Sequence, residues 1–435
     1  MGDSLLPDIT PVITDPVLER HKFSNFLKLL RQRRTKQTVV SASPIHATID
    51  LTTACNLRCP YCATGNGTIE RAKSILRPEK AAQMTKDLYD PMFLAAFFST
   101  GEPLLNKWFA EIIQQASTHS VFSTISTNLS NKLSDSQIDS ILLSGLGLLS
   151  ASIDGTNAES YNRYRVGGDY SLVMDNLRRF ILRKRYLGLD YPLIEWRFLV
   201  FQHNQNELEL AEQMALELGV DLLEFYPGVA PVDAQEPEVR LATNFRPATY
   251  FSARFDRIRK QQDRPLQRYL RHNFIKDEDR ITPNLTTAEK KCDWLTLGTM
   301  LFPNGAVSPC CVSNDESDDF GVVDEKSSFK DVWNNDFYQS ARSIFVKQPQ
   351  KVETICSRCP IPSAQHFQFR NIIRSILRIT PEWALRIICQ DPDSFFFNVD
   401  RDLMQDELEP IFANRLFQGE LSVQPGIADK LLQDL

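Results

Sequence analysis

The sequence predicts an α/β fold: six β–α repeats form a parallel sheet that curls into a partial (β/α)6 barrel, followed by a small cysteine-bearing domain and a helical tail. Three observations carry this. Between about residues 45 and 228, short β-rich runs alternate with longer amphipathic ones, the pattern of βαβ units with right-handed crossovers. The short runs are dense in apolar residues instead of strictly alternating, as strands covered on both faces should be. Polar, glycine-containing turns follow the runs on one predicted rim, and in barrels of this kind chemistry sits at the C-terminal ends of the strands.

Taken in order, residues 1–44 read as an N-terminal helical extension. The barrel occupies 45–228, with strands at "HATIDLT" (46–52), "FLAAFFST" (93–100), "VFSTIST" (121–127), "GLLSASID" (147–154), "LIEWRFLV" (193–200) and "DLLEFYP" (221–227). The stretch "NELELAEQMALELG" is amphipathic and closes on Gly219, as helices often do. The turns after the first four strands are "TACNLRCPYC", "TGEPLLN", "NLSNK" and "GTNAESYNRYRVGG". Residues 229–290, charged and proline-containing, read as a helical linker. A second set of cysteines falls within 291–362. Residues 363–435 form a helical tail, and packing is the default role of its aromatic patch "SFFFNV".

The 435 residues are 42% hydrophobic and 24% charged, which excludes a disordered half, and the net charge of −6 excludes a general nucleic-acid footprint. The basic stretches "LRQRRTK" and "LRRFILRKRY" read as solvated helix faces, with an acidic peptide as the sharper alternative. Asp3, Asp8, Asp15 and Glu19 interrupt any signal-peptide core, and apolar runs such as "MFLAAFF" are too short to span a bilayer. No membrane association is expected. The expected location is the cytoplasm, where nine clustered cysteines point to metal or redox chemistry instead of disulfides.

Cys55, Cys59 and Cys62 stand in a Cys-x3-Cys-x2-Cys spacing directly after the first strand. A cubane iron–sulfur cluster has four irons, so three thiolates leave one iron open to another ligand. The alternative is a structural metal knuckle, which needs a fourth nearby ligand. No histidine lies between Cys55 and the turn after the second strand.

With aromatic Tyr61 before the last cysteine, this run resembles the signature of radical S-adenosylmethionine (SAM) enzymes. The resemblance extends along the barrel. Thr100, Gly101, Glu102 and Pro103 are similar to the family's Gly-Gly-Glu-Pro turn, which holds the methionine ammonium. Ser126 and Asn128 in "STN", and Ser152 and Asp154 in "SID", match the polar strand ends that contact the ribose and carboxylate. Arg165 is a further carboxylate partner on this resemblance. Thr100 stands where the first glycine usually is; it is costly if the turn needs a positive φ, and neutral if only backbone carbonyls are used. The resemblance implies a 4Fe–4S cluster, SAM, reductive cleavage to a 5′-deoxyadenosyl radical, and hydrogen abstraction from a substrate. It also implies an electron donor such as flavodoxin or ferredoxin.

The later cysteines, Cys292, Cys310, Cys356 and Cys359, with Gly305 between the first two, resemble the SPASM extension or its shorter form, twitch. The spacing is similar to the twitch domain of an aminocyclitol dehydrogenase. The resemblance implies one auxiliary 4Fe–4S cluster on these four residues; a four-cysteine zinc site would use the same ligand set. Cys311 is an alternative to Cys310. Cys389 reads as a small buried hydrophobe, with a hydrogen-donating thiol as the alternative role for either spare cysteine.

Many SPASM and twitch relatives modify ribosomally made precursor peptides, so a peptide is the first substrate expectation, with excision at a tyrosine as a compatible chemistry. The segment before the first strand is too short for a leader-recognition domain, which implies a separate small recognition protein as partner. Oxidation or rearrangement of a sugar or aminocyclitol is the alternative. Arg197, Glu224 and Tyr226 on the late strands are candidate site residues, with core packing or an ion pair as their plainer role.

Overall fold

A computed structural model describes residues 15–35, 37–228, 239–243, 292–311, 313, 315–359 and 381–398. Most of the expected linker (229–290) and most of the tail (363–435) lie outside the described residues, as do residues 1–14 of the N-terminal extension.

The described chain runs α1 (Pro16–Thr35), β1 (His46–Ile49), α2 (Pro78–Thr85), β2 (Leu94–Ala96), α3 (Phe109–Ser117) and β3 (Phe122–Thr127). It continues α4 (Asp135–Leu142), β4 (Leu148–Ser152), α5 (Ala158–Tyr164), α6 (Tyr170–Tyr186), β5 (Leu193–Val200), α7 (Leu208–Leu218) and β6 (Leu222–Pro227). The second cysteine domain contributes α8 (Trp294–Leu297), β7 (Gly298–Leu301), β8 (Ala306–Ser308), β9 (Gly321–Val322), α9 (Phe329–Trp333) and α10 (Asp336–Val346). Helices α11 (Pro381–Gln390) and α12 (Pro392–Asn398) follow.

All six expected strands form, and β1 to β6 are parallel in sequence order. The fifth matches its expected bounds, and the first, second and fourth end early because their last residues turn into the rim loops. One feature was not expected from the sequence. Strand β7 pairs in parallel with the free side of β1, from His46 opposite Gly298 to Ile49 opposite Leu301, and β8 and β9 add antiparallel. Both cysteine regions therefore share one nine-stranded sheet.

The strands present two different faces. On the outer face Ile49, Ala95, Ile125, Leu149, Trp196, Phe198 and Phe225 pack under the helices in the main core. On the other face Leu94, Phe122, Leu148, Leu193 and Leu222 form a separate small cluster at the N-terminal ends. Above that floor the same face turns polar, with Ser126, Ser152, Glu195, Arg197, Glu224 and Tyr226. The floor makes the N-terminal end of this face apolar and the rim end polar.

Local signals set the helix ends. A Ser134–Gln137 capping box starts α4, and the Asp169 side chain caps α6. Gly219 closes α7 at φ +76°, a conformation that glycine adopts without strain. Helix α1 docks against the tail: Phe23 and Phe26 lie 5.1 and 6.0 Å from the Trp383 ring, whose Nε1 donates to Glu19. Phe395, from the aromatic patch, is fully buried there, as packing requires.

Candidate functional site

The first cysteine loop leaves β1 through a set of polar anchors. Thr52 Oγ1 donates to the Ser74 carbonyl (2.9 Å) and Thr53 Oγ1 to the Ala72 carbonyl (2.9 Å). Cys59 is buried, and Cys55 and Cys62 are half-buried. All three pack in one cluster with Leu57, Tyr61, Tyr164, Leu199, Phe201 and Val239. N–H donors surround the sulfurs. Leu57 N donates to Cys55 Sγ (3.4 Å), Asn128 Nδ2 stands 3.8 Å from the same sulfur, and Arg165 Nη1 stands 4.0 Å from Cys59 Sγ. Burial pushes the Cys59 thiol up to about 11 against the opposing pull of Arg165, and burial raises Cys55 likewise. Iron must therefore displace protons to bind here.

The turn after β2 closes on this loop. Gly101 has no room for a side chain: a Cβ would meet the Thr52 carbonyl oxygen at 2.0 Å and that of Ala54 at 2.7 Å. Glu102 N donates to the Ala54 carbonyl (2.9 Å). The Glu102 carboxylate is buried and accepts from Leu104 N (3.1 Å), Thr127 Oγ1 (2.5 Å) and Asn128 N (2.8 Å). It thus ties the turn to the end of β3, and Pro103 starts a 3-10 turn behind it. Thr100 is not among the described non-glycine residues with positive φ, which are Ser120, Leu129 and Lys347. Its amide (3.1 Å) and hydroxyl both donate to the buried Asp50 carboxylate. Burial pushes Asp50 up to about 7, opposed by the Thr100 hydrogen bonds and Arg71.

Ser126 and Ser152, on neighbouring strand ends, share a 3.0 Å hydroxyl contact. Arg165 Nε pairs with Asp154 at 2.6 Å, and Asp154 also accepts from Leu199 N. Burial works against the Arg165 cation, but Asp154 and Cys59 outweigh it and hold the guanidinium charged. Tyr61 lies 6.2 Å from both the Tyr164 and Phe201 rings, and its hydroxyl donates to the Val239 carbonyl. The rim thus gathers every residue singled out in the first motifs. Sequence reasoning missed Asp50, Asn56 and Phe201. Asn56, inside the cysteine run, accepts from Asn128 Nδ2 (2.9 Å), and only its place in the motif could have flagged it.

The second cysteine set gathers at the other end of β7. Cys292 precedes α8, whose first N–H groups face its sulfur, and burial pushes its thiol up to about 11. Cys310 follows β8, and Cys356 and Cys359 flank a short 3-10 turn. Burial drives Cys356 upward first, then the neighbouring thiols of Cys292, Cys310 and Cys359. Cys356 thus neighbours the other three thiols, while the Cys311 residue is exposed at the surface. Among the described residues no three Cys, His, Asp or Glu side chains converge on a single metal ion. A cubane does not require that, because each thiolate binds a different iron. Cys389 lies within α11.

Arg71 joins the two cysteine regions. Its side chain is 2% exposed, pairs with Asp319 through Nη2 (2.6 Å) and Nη1 (2.9 Å), and stacks on the Phe302 ring.

A parallel half-barrel with three thiols at its rim, joined to a four-thiol domain, defines an iron–sulfur protein of the radical SAM class. Residues 49–185 match the Radical SAM superfamily and residues 292–360 match the SPASM iron–sulfur cluster-binding domain, so the chain carries a radical SAM domain followed by a SPASM domain. Such domains bind a 4Fe–4S cluster with SAM and auxiliary iron–sulfur clusters, respectively. The chain is 26% identical over 175 residues to the GTP 3′,8-cyclase of Alkaliphilus oremlandii, covering 40% of this chain but only 53% of that protein. It is 24% identical over 335 residues to the PqqA peptide cyclase of Bradyrhizobium diazoefficiens, covering 74% of this chain and 81% of that one. In fold it resembles Streptococcus suis SuiB bound to precursor peptide SuiA, with a TM-score of 0.50, 13% identity, and 74% and 71% of the two chains covered. No described helix is long and apolar enough to cross a membrane.

Proposed function

We propose that the protein is a cytoplasmic radical SAM enzyme that modifies a precursor peptide. The observation that carries the reading is the three-thiol loop opening onto the polar rim of the half-barrel. The residues fit the cofactors. Thiolate is the donor of iron–sulfur clusters, and N–H groups near such sulfurs are among the levers that set their potential. On this reading Cys55, Cys59 and Cys62 hold the first 4Fe–4S cluster, and Cys292, Cys310, Cys356 and Cys359 hold one auxiliary cluster. When bound, the cluster and SAM supply a 5′-deoxyadenosyl radical that takes a hydrogen atom from substrate.

The chain's own residues position and protect. The turn Thr100 to Pro103 offers backbone carbonyls toward the methionine ammonium, with Gly101 allowing its close approach to the cysteine loop. Ser126, Asn128 and Ser152 present polar groups at the strand ends. Arg165 is oriented by Asp154 as a cation beside the cluster loop, and Tyr61 walls the aromatic side. The apolar floor excludes water from below.

The peptide substrate is supported by the breadth of the PqqA peptide cyclase match, which extends past the barrel into the second domain. A separate leader-recognition protein and a flavodoxin or ferredoxin as electron donor complete the proposed system.

The test is anaerobic reconstitution with dithionite and SAM. We expect about eight irons per chain and formation of 5′-deoxyadenosine. The triple variant Cys55→Ala, Cys59→Ala, Cys62→Ala should hold about four irons and form none. Product from that variant, or zinc in place of the second four irons, would refute the assignment. Co-purification from the native host with mass spectrometry identifies the substrate; an aminocyclitol or sugar there would overturn the peptide reading, and loss of a tyrosine-derived fragment would specify excision.

A further inference from the structure

The basic stretch of α6 and the amphipathic stretch of α7 have no part in the function proposed above. Helix α6 carries five cations, Arg178, Arg179, Arg183, Lys184 and Arg185, against one carboxylate, Asp175, whereas α7 carries carboxylates and no cation. Three of the α6 cations are used within the chain: Arg179 pairs with Asp135, Arg183 with Asp139 and Lys184 with Asp221. Arg178 and Arg185 make no ion pair among the described residues. Neither does Glu217 of α7, which accepts from Gln213 Nε2 at 3.0 Å.

Each helix also turns apolar bulk to solvent. Leu182 and Tyr186 on α6 are 54% and 79% exposed, and Leu210 and Leu216 on α7 are 49% and 50% exposed. At helical spacing Arg178, Leu182, Arg185 and Tyr186 share one face of α6, and Leu210, Gln213, Leu216 and Glu217 share one face of α7. The opposite faces, through Val173, Leu177, Phe180, Ala211 and Ala215, are buried in the main core. Apolar side chains set among charges on an outer face are the composition of a contact surface.

The two faces are neighbours. Helix α6 leads into β5 and α7 leaves it for β6, and β4, β5 and β6 are parallel, so the two helices run the same way. Arg185 Nη2 stands 3.4 Å from the Gly219 carbonyl at the end of α7. Counting back three residues along each helix sets Leu182 about level with Leu216. A two-fold axis lying along the helices, between them, keeps these heights and exchanges the two faces. Leu182 of one copy then meets Leu216 of the other, and Arg185 meets Glu217. An axis across the helices would lay α6 on α6 and oppose Arg178 and Arg185 with their own copies, which like charges disfavour. We propose that a second copy of this chain docks here, α6 of each copy on α7 of the other, forming a symmetric dimer through the outer face of the half-barrel.

The experiment is sedimentation velocity on the anaerobically reconstituted full chain at micromolar concentration. We expect the wild type to sediment at twice the chain mass. Arg185→Glu and Glu217→Arg should each raise the dissociation constant by about a hundredfold, because each change occurs twice in a two-fold interface and sets like charges together. Both positions are exposed, so melting temperatures and SAM binding should stay at the values of the dissociated wild type. An equimolar mixture of the two variants should recover the dimer, since every α6 then meets an α7 of opposite charge. A monomeric wild type, a dimer that both variants leave intact, or variants that stay monomeric when mixed overturns the inference. A monomer that binds a glutamate-rich peptide through Arg178 and Arg185 overturns it as well, in favour of a peptide at α6.

Discussion

Arg71 offers the sharpest stability test, because it is the buried link between the cysteine loop side of the barrel and the second domain. Its guanidinium makes two charge-assisted bonds to Asp319, one to the Asp315 carbonyl (3.0 Å) and one to Ser308 Oγ (3.2 Å). Asp319 is only 11% exposed. Arg71→Met would strand that carboxylate, and breaking a buried pair from one side costs about 3–5 kcal/mol. Arg71→Lys retains charge but cannot reproduce the two-pronged contact, so most of the loss should remain. The double variant Arg71→Met, Asp319→Asn removes the stranded charge and should be less damaging than the sum of its parts. The assay is anaerobic urea unfolding followed by far-UV circular dichroism and tryptophan fluorescence. A loss under about 1 kcal/mol for Arg71→Met, the value of an exposed pair, would refute the reasoning.

Other outcomes are equally specific. Gly101→Ala should destabilise the fold by about 1–3 kcal/mol through overpacking against the Thr52 carbonyl, and should weaken SAM binding measured by equilibrium dialysis. Asp50, raised from 3.8 to about 7, binds a proton in the folded state that the unfolded chain releases, so its contribution is present at low pH and is lost as pH rises toward and through 7. Urea unfolding from pH 5 to 8 should show stability falling by about 2.5 kcal/mol from this group, and Asp50→Asn should flatten that slope. Thr100→Gly should cost about 1 kcal/mol, the worth of a hydrogen bond, since the threonine is unstrained and its hydroxyl holds Asp50; equal or greater stability for the glycine variant would show strain at that turn.

The barrel was legible because its strands are buried on both faces and read as apolar runs, and β5 matched residue for residue. The first cysteine motif was legible because its three thiols fall within eight residues of one loop. Strands β7 to β9 were not: they are two to four residues long, too short for any periodicity to register. The Arg71–Asp319 pair spans 248 positions, and nothing local in either residue announces the other. Of the residues the motifs singled out, Glu102 and Arg165 make their main bonds internally, to Thr127 and Asn128 in one case and to Asp154 in the other. Short motifs identify which residues cluster, whereas the direction of each side chain depends on neighbours contributed by other strands.

The parallel pairing of β7 with β1 limits how this molecule can be dissected. A truncated chain ending after β6 would leave β1 with an unsatisfied ladder, an invitation to aggregate, right beside the first thiol loop. Loss of turnover in such a fragment would then report damage to the barrel and say nothing about the second cysteine set. The contribution of that set has to be read one cysteine at a time, in chains that keep the whole sheet.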